Sequence, residues 1–169
     1  EPLIKETMWL SETPEIVSKG WDAALNRTVT IIKFKDKKHG KEFYYANTHF
    51  DHIGEIARTE SSGLIIDLLS EYLVDYPVIF SGDLNYTSTS EGYRILSSKL
   101  YDAKTIADTE NGVNITFNGF GNDIKPDNKI DFIFVNDKVE VLNHIVDTTT
   151  FNGLYPSDHY PVISGIKMK

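Results

Sequence analysis

An α/β (α+β) architecture follows from three features of this 169-residue sequence. The run Pro77-Val78-Ile79-Phe80 is apolar without alternation, as in a strand buried on both faces. From Glu55 to Tyr76 the residues Ile56, Leu64, Ile65, Leu68, Leu69, Tyr72 and Leu73 recur at spacings of three and four, the period of an amphipathic helix. A strand-like run precedes that helix, so strand, helix and strand make a βαβ crossover.

Taken in order, Glu1 to Gly20 carries no period and reads as irregular, with Trp9 to Pro14 as loop. Thr28 to Phe34 is a strand, Asp36 to Gly40 supplies turn residues, and Glu42 to His49 returns as the second arm of a hairpin. Pro77 ends the helix, because proline cannot continue the hydrogen-bond ladder. Ser88-Thr89-Ser90-Glu91 before Gly92 to Leu96 reads as a capped short helix. Tyr101 to Asn114 reads as loop with a short turn. Ile115-Thr116-Phe117 and Lys129 to Val135 read as strands around a Gly/Asn/Asp/Pro loop. Val139 to Val146 alternates like an edge strand, and Tyr160 to Ile166 closes the chain after the loop Tyr155 to His159.

By length this is a single domain, residues 1–169, and 40% hydrophobic content suffices for a core. No apolar run approaches the roughly 20 residues of a membrane span. Cysteine is absent, which excludes a disulfide framework, thiolate metal sites and a thiol nucleophile, and leaves the compartment open between secreted or periplasmic and cytoplasmic. The net charge of −8 argues against a binder of long duplex nucleic acid and for a small phosphate ester. An acidic protein facing such a substrate needs divalent cations to offset its own field.

Polar residues recur at the edges of the expected strands: His49, Asp83 with Asn85, Asp131, and Asp158 with His159. Ligands bind at the carboxyl ends of strands in open α/β sheets. Asp83 and Asn85, two apart, face the same way if the backbone stays extended. Singly, each has an ordinary explanation, such as an Asx turn. Asp131 stands apart, because it lies within the apolar run Ile130 to Phe134, where a carboxylate is costly unless paired. His159 is the natural partner, its tautomer fixed by the acid.

Thr48-His49, Gly82-Asp83-Leu84-Asn85, Lys129-Ile130-Asp131-Phe132-Ile133-Phe134 and Ser157-Asp158-His159-Tyr160-Pro161-Val162 occur in the order of the later motifs of the endonuclease/exonuclease/phosphatase family. The chain resembles that family from about Trp9 to its last strand. Trp9-Leu10-Ser11, Trp21 to Ala24 and Arg27 look like a bacterial branch related to deadenylases. The resemblance implies a deoxyribonuclease-I-like β-sandwich flanked by helices. Family members are longer, and their earlier motifs carry an asparagine and a magnesium-binding glutamate that are not found here. The chain therefore reads as the C-terminal part of such a domain.

The implied activity is hydrolysis of phosphate esters, as a phosphodiesterase, phosphatase or nuclease, by in-line attack of water with Mg2+ or Mn2+. The implied catalytic set is His49, Asp83, Asn85, Asp131 and His159. His159 acts as base or as donor to the phosphate, Asp131 orients it, Asp83 and Asn85 position water and phosphate, and His49 donates to a phosphoryl oxygen. Asp158 is the implied metal ligand; Arg27, Asn114 and Phe120 are candidates for substrate binding. Expected partners are a phosphorylated small molecule or nucleic acid end, and a second copy or the remaining N-terminal half, since a sheet lacking its partner exposes apolar surface. The alternative is a truncated or degenerate domain that binds or associates without catalysis. The dinuclear calcineurin-like phosphoesterases need an early Asp-x-His and a Gly-Asn-His, and neither occurs.

Overall fold

The computed structural model describes residues 1–122, 124–126 and 128–169; Asp123 and Asp127, in the loop expected before Lys129, lie outside them. The hairpin forms as read, from β2 (Thr28–Lys35) and β3 (Glu42–His49), paired antiparallel. Its turn is held by the Asp36 carboxylate, which accepts from the amides of Lys38 and His39. Helix α1 (Glu55–Asp75) follows, and β4 (Val78–Asp83) runs parallel to β3, completing the crossover. The helix starts on a cap distant in sequence: Asp22 accepts from the amides of Ile56 and Ala57 at 3.2 and 2.7 Å. Ser90 caps α2 (Glu91–Ser97) as expected, its Oγ accepting from Tyr93 N.

Pro2–Trp9 is not irregular but a strand, β1, paired antiparallel with β2. It sits at the sheet edge with most side chains exposed, so no burial period marks it. The stretch read as loop from Tyr101 holds β5 (Tyr101–Asp102), α3 (Ala103–Ile106) and β6 (Thr109–Asn111), each too short for a period to show. Ile115–Phe117 forms no strand; Phe117 makes a single bridge to His159. Strands β7 (Asp131–Val135) and β9 (Val162–Met168) each begin two residues later than expected. β8 (Val139–Val146) is the centre of its sheet rather than an edge, its alternation reflecting one face on the core.

Two sheets result, ordered β1-β2-β3-β4-β7-β5 and β6-β8-β9. The period-two alternation of β3, β4 and β7 divides their side chains between two layers. Val78, Phe80, Phe132 and Phe134 pack with Ile65 and Leu69 of α1 on one side. Ile79 and Val135 pack with Val139 and Val141 of β8 on the other. By the same parity, His49, Asp83 and Asp131 lie on the face turned toward the small sheet. Gly82 is required for close approach, since a Cβ there would stand 2.3 Å from the Thr48 carbonyl oxygen. Among the described residues no helix is long and apolar enough to cross a membrane.

Candidate active site

Strand register assembles the site. His49 is paired with Asp83 across β3 and β4, and Asp83 with Asp131 across β4 and β7. Cross-strand partners project to the same face, so three polar side chains form a row at one sheet end. His159 arrives from the loop before β9, bridged to Phe117. Its Nδ1 lies 2.7 Å from Asp131 Oδ2. A carboxylate only accepts, so Nδ1 carries the proton and Nε2 turns to Asp83 Oδ2, 3.8 Å away. His49 Nε2 approaches the same Asp83 oxygen at 3.2 Å. Four of the five expected catalytic residues thus meet around one carboxylate.

Asn85 reaches the site differently from the sequence expectation. The strand ends at Asp83, and Asn85 takes a left-handed φ of 52°, which asparagine tolerates. Its backbone N donates to Asp83 Oδ1 and its side-chain amide donates to the Phe50 carbonyl. This is the Asx turn. Two clefts border these residues. One, of about 400 Å³, is lined by Asp83, Asp131, Thr48 and Ser81; the other, of about 280 Å³, by Asn85, Phe117, Asn128 and His159.

Electrostatics differentiate His159, His49 and Asp83. The hydrogen bond to Asp131, with the charges of Asp131, Asp83 and Asp158, raises the His159 pKa above its ordinary 6.5 against the effect of burial. Burial lowers that of His49, and the positive charges of Arg27 and His159 lower it further against the pull of Asp83. Burial raises the Asp83 carboxyl, as does the charge of Asp131, against the Asn85 amide and both histidines. A group whose pKa rises on folding stabilises the fold below its unfolded value and loses that contribution as pH climbs through the folded one. In metal-free protein, the His159 contribution is therefore complete below pH 6.5 and declines above it. Urea midpoints at about pH 6 and about pH 9 should fall further for the parent than for His159→Gln; parallel declines would contradict the pairing.

The ligand atoms of Asp83, Asp131 and His159 lie within 4.8 Å of one another. Two hard carboxylate oxygens fit magnesium or manganese, which keep water and take few protein ligands. Asp158 is not part of this group. Its Oδ1 accepts from Ser157 Oγ at 3.3 Å, and its carbonyl receives the amides of Asn118 and Gly119.

The three candidates for substrate binding lie outside the cluster. Arg27 stands 3.9 Å from buried Asp51 and contacts His52, as part of a pinned loop. Burial would raise the Asp51 carboxyl, but the amides of Gly54, Ala24, Ile53 and Leu25 hold it far below the usual range. Asn114 accepts from Lys104 Nζ at 2.7 Å, beside Glu110. Phe120 is exposed, with a left-handed φ of 56°. The aromatic that touches the centre is instead Phe117, edge-on to the His159 ring at 5.1 Å, which reading it as a strand residue overlooked.

A solved endonuclease/exonuclease/phosphatase family protein from Bacteroides thetaiotaomicron is 37% identical, matching 98% of this chain and 65% of its own with a TM-score of 0.92. A mannosyl-6-phosphatase from the same species is 35% identical over 99% of this chain and 67% of its own, with a TM-score of 0.91. The chain belongs to the endonuclease/exonuclease/phosphatase family. A third member, from Bacteroides vulgatus, is 38% identical over 100% of this chain and 66% of its own, with a TM-score of 0.92. The chain thus spans 65 to 67% of the length of these solved members, part of the family's domain. No family model and no curated protein matches the sequence.

Proposed function

We propose that this chain carries a phosphate-ester hydrolysis centre acting on a small phosphorylated molecule with magnesium or manganese. The reading rests on the convergence of His49, Asp83, Asp131 and His159 around Asp83 Oδ2. Such chemistry consists mainly of positioning and charge stabilisation.

His159, its proton affinity raised by Asp131, donates from Nε2 to the phosphate in its protonated form. Asp131 fixes its tautomer and balances the imidazolium charge. Asp83, a better base for its raised pKa, orients the attacking water and accepts its proton. His49 donates to a phosphoryl oxygen as charge grows there. Asn85, held by Phe50, contacts the ester from the other cleft. Asp83 and Asp131 would hold the divalent ion, which supplies positive charge to the phosphoryl oxygens.

The net charge of −8 and the likeness to a mannosyl-6-phosphatase favour a sugar phosphate over a polynucleotide. The test is phosphate release from hexose 6-phosphates, p-nitrophenyl phosphate and a short oligonucleotide. It uses both this chain and any longer gene product carrying it, with Mg2+, Mn2+ or a chelator. Metal-dependent release from the sugar phosphates is expected. Release unaffected by chelation would overturn the metal requirement, and none from any ester would overturn the hydrolase reading; preference for the oligonucleotide would overturn the substrate class.

A further inference from the structure

Thr116 lies outside the catalytic cluster, is fully buried, and touches both segments that supply the His159–Asp131 pair. Its Oγ1 accepts from the amides of Ile130 and Asp131 at 2.9 and 3.1 Å, using both lone pairs of one hydroxyl. Those amides lie at the start of β7, beyond the reach of β5, which pairs with β7 only at Phe134 and Val135. One side chain therefore replaces the missing rungs at the residue that carries the catalytic carboxylate. The Thr116 main chain meanwhile holds the other partner. Its carbonyl accepts from the amide of Tyr160, the residue after His159, at 2.7 Å. Its own amide donates to Asn128, at the end of the loop leading to Asp131. Two residues on, the buried Asn118 continues the attachment, its amide donating to the Asp158 carbonyl at 2.7 Å.

We infer that Thr116 is the positioning residue of the His159–Asp131 pair, its hydroxyl setting the Asp131 strand and its main chain the segment that carries His159. The inference rests on the catalytic reading above. A buried amide pair deprived of its acceptor must seek another partner, and strand movement is the available response. Displacements of about 1 Å cost reactions of this type about 100-fold.

The experiment compares Thr116→Val, which keeps the shape and removes the acceptor, with Thr116→Ser, which keeps the acceptor. Two readouts are needed: kcat and KM on the ester the parent hydrolyses, and the low-field proton NMR resonance of the His159 Nδ1–H bond. For Thr116→Val, kcat is expected to fall about 10- to 100-fold with KM within about threefold, and the resonance to shift or vanish. Thr116→Ser should restore both to near parental values. If Thr116→Val does not fold, Thr116→Ala gives the same reading without a packing change at the added methyl. Parental kcat and resonance in a folded Val or Ala variant would overturn the inference, whatever its melting temperature. An equal loss in Thr116→Ser would overturn it as well. A parent that shows no such resonance and does not depend on Asp131 would instead refute the catalytic reading.

Discussion

Replacing Asp131 with asparagine is expected to lower kcat about 10⁴-fold while leaving the fold intact, by analogy with the tautomer loss in a serine-protease triad. The amide is nearly isosteric but presents an N–H donor where Asp131 Oδ2 now accepts from His159 Nδ1 at 2.7 Å. The imidazole then loses the tautomer that turns Nε2 toward Asp83. It also loses the largest source of its raised proton affinity, which weakens its hold on the proton it donates. One of the two carboxylates that fit a divalent ion disappears with the same substitution. Asp131 begins β7 and its side chain is only partly buried, so little stability depends on it. Kinetics at saturating metal, with a thermal melt, make the check; a loss smaller than about tenfold would remove Asp131 from the mechanism.

Asp102→Asn is expected to produce the largest loss of stability, about 3–5 kcal/mol. Lys129 Nζ lies 2.9 Å from Asp102 Oδ2, with side chains only 7% and 4% exposed. Tyr93 Oη donates to the same oxygen, and Asp102 Oδ1 caps α3 through Lys104 N. Burial lowers the Lys129 pKa even with Asp102 present, although the Asp102 charge opposes it. Without that charge the ammonium is left unpaired beside the Phe132 ring, 4.2 Å away. Urea unfolding should show the shift, and the double replacement Asp102→Leu with Lys129→Met should recover most of it, because an apolar pair needs no desolvation. A single variant within about 1 kcal/mol of the parent would show the pair to be dispensable. Since Lys129 is two residues from Asp131, reduced activity should accompany the lost stability.

What was legible in the residues depended on local burial. Helix α1 and strands β2, β3 and β4 each present many side chains to one layer or two, so their periods appear within a single window. Asp131 stood out because a carboxylate within an apolar run is costly unless paired, whereas His49, Asp83 and His159 were singled out by their joint occurrence in the order of the family's motifs. Asn114, Phe120 and Arg27 were named by position in a family pattern; Arg27 lies beside Asp51, Asn114 accepts from Lys104, and Phe120 is exposed. Asn85 was assigned to the site through an extended backbone, whereas a turn delivers it.

Edge strand β1, the short pieces β5, α3 and β6, the central place of β8, and the clamp at Thr116 emerge only when distant segments meet. Most of their pairing partners lie beyond the span of a local window, and such a window records a side chain's tendency to be buried, not what it will be buried against. The row His49, Asp83, Asp131 shows both halves. Its members announce themselves by chemistry, but their adjacency is a matter of register between β3, β4 and β7, which the packing of the apolar faces on α1 and on the small sheet fixes.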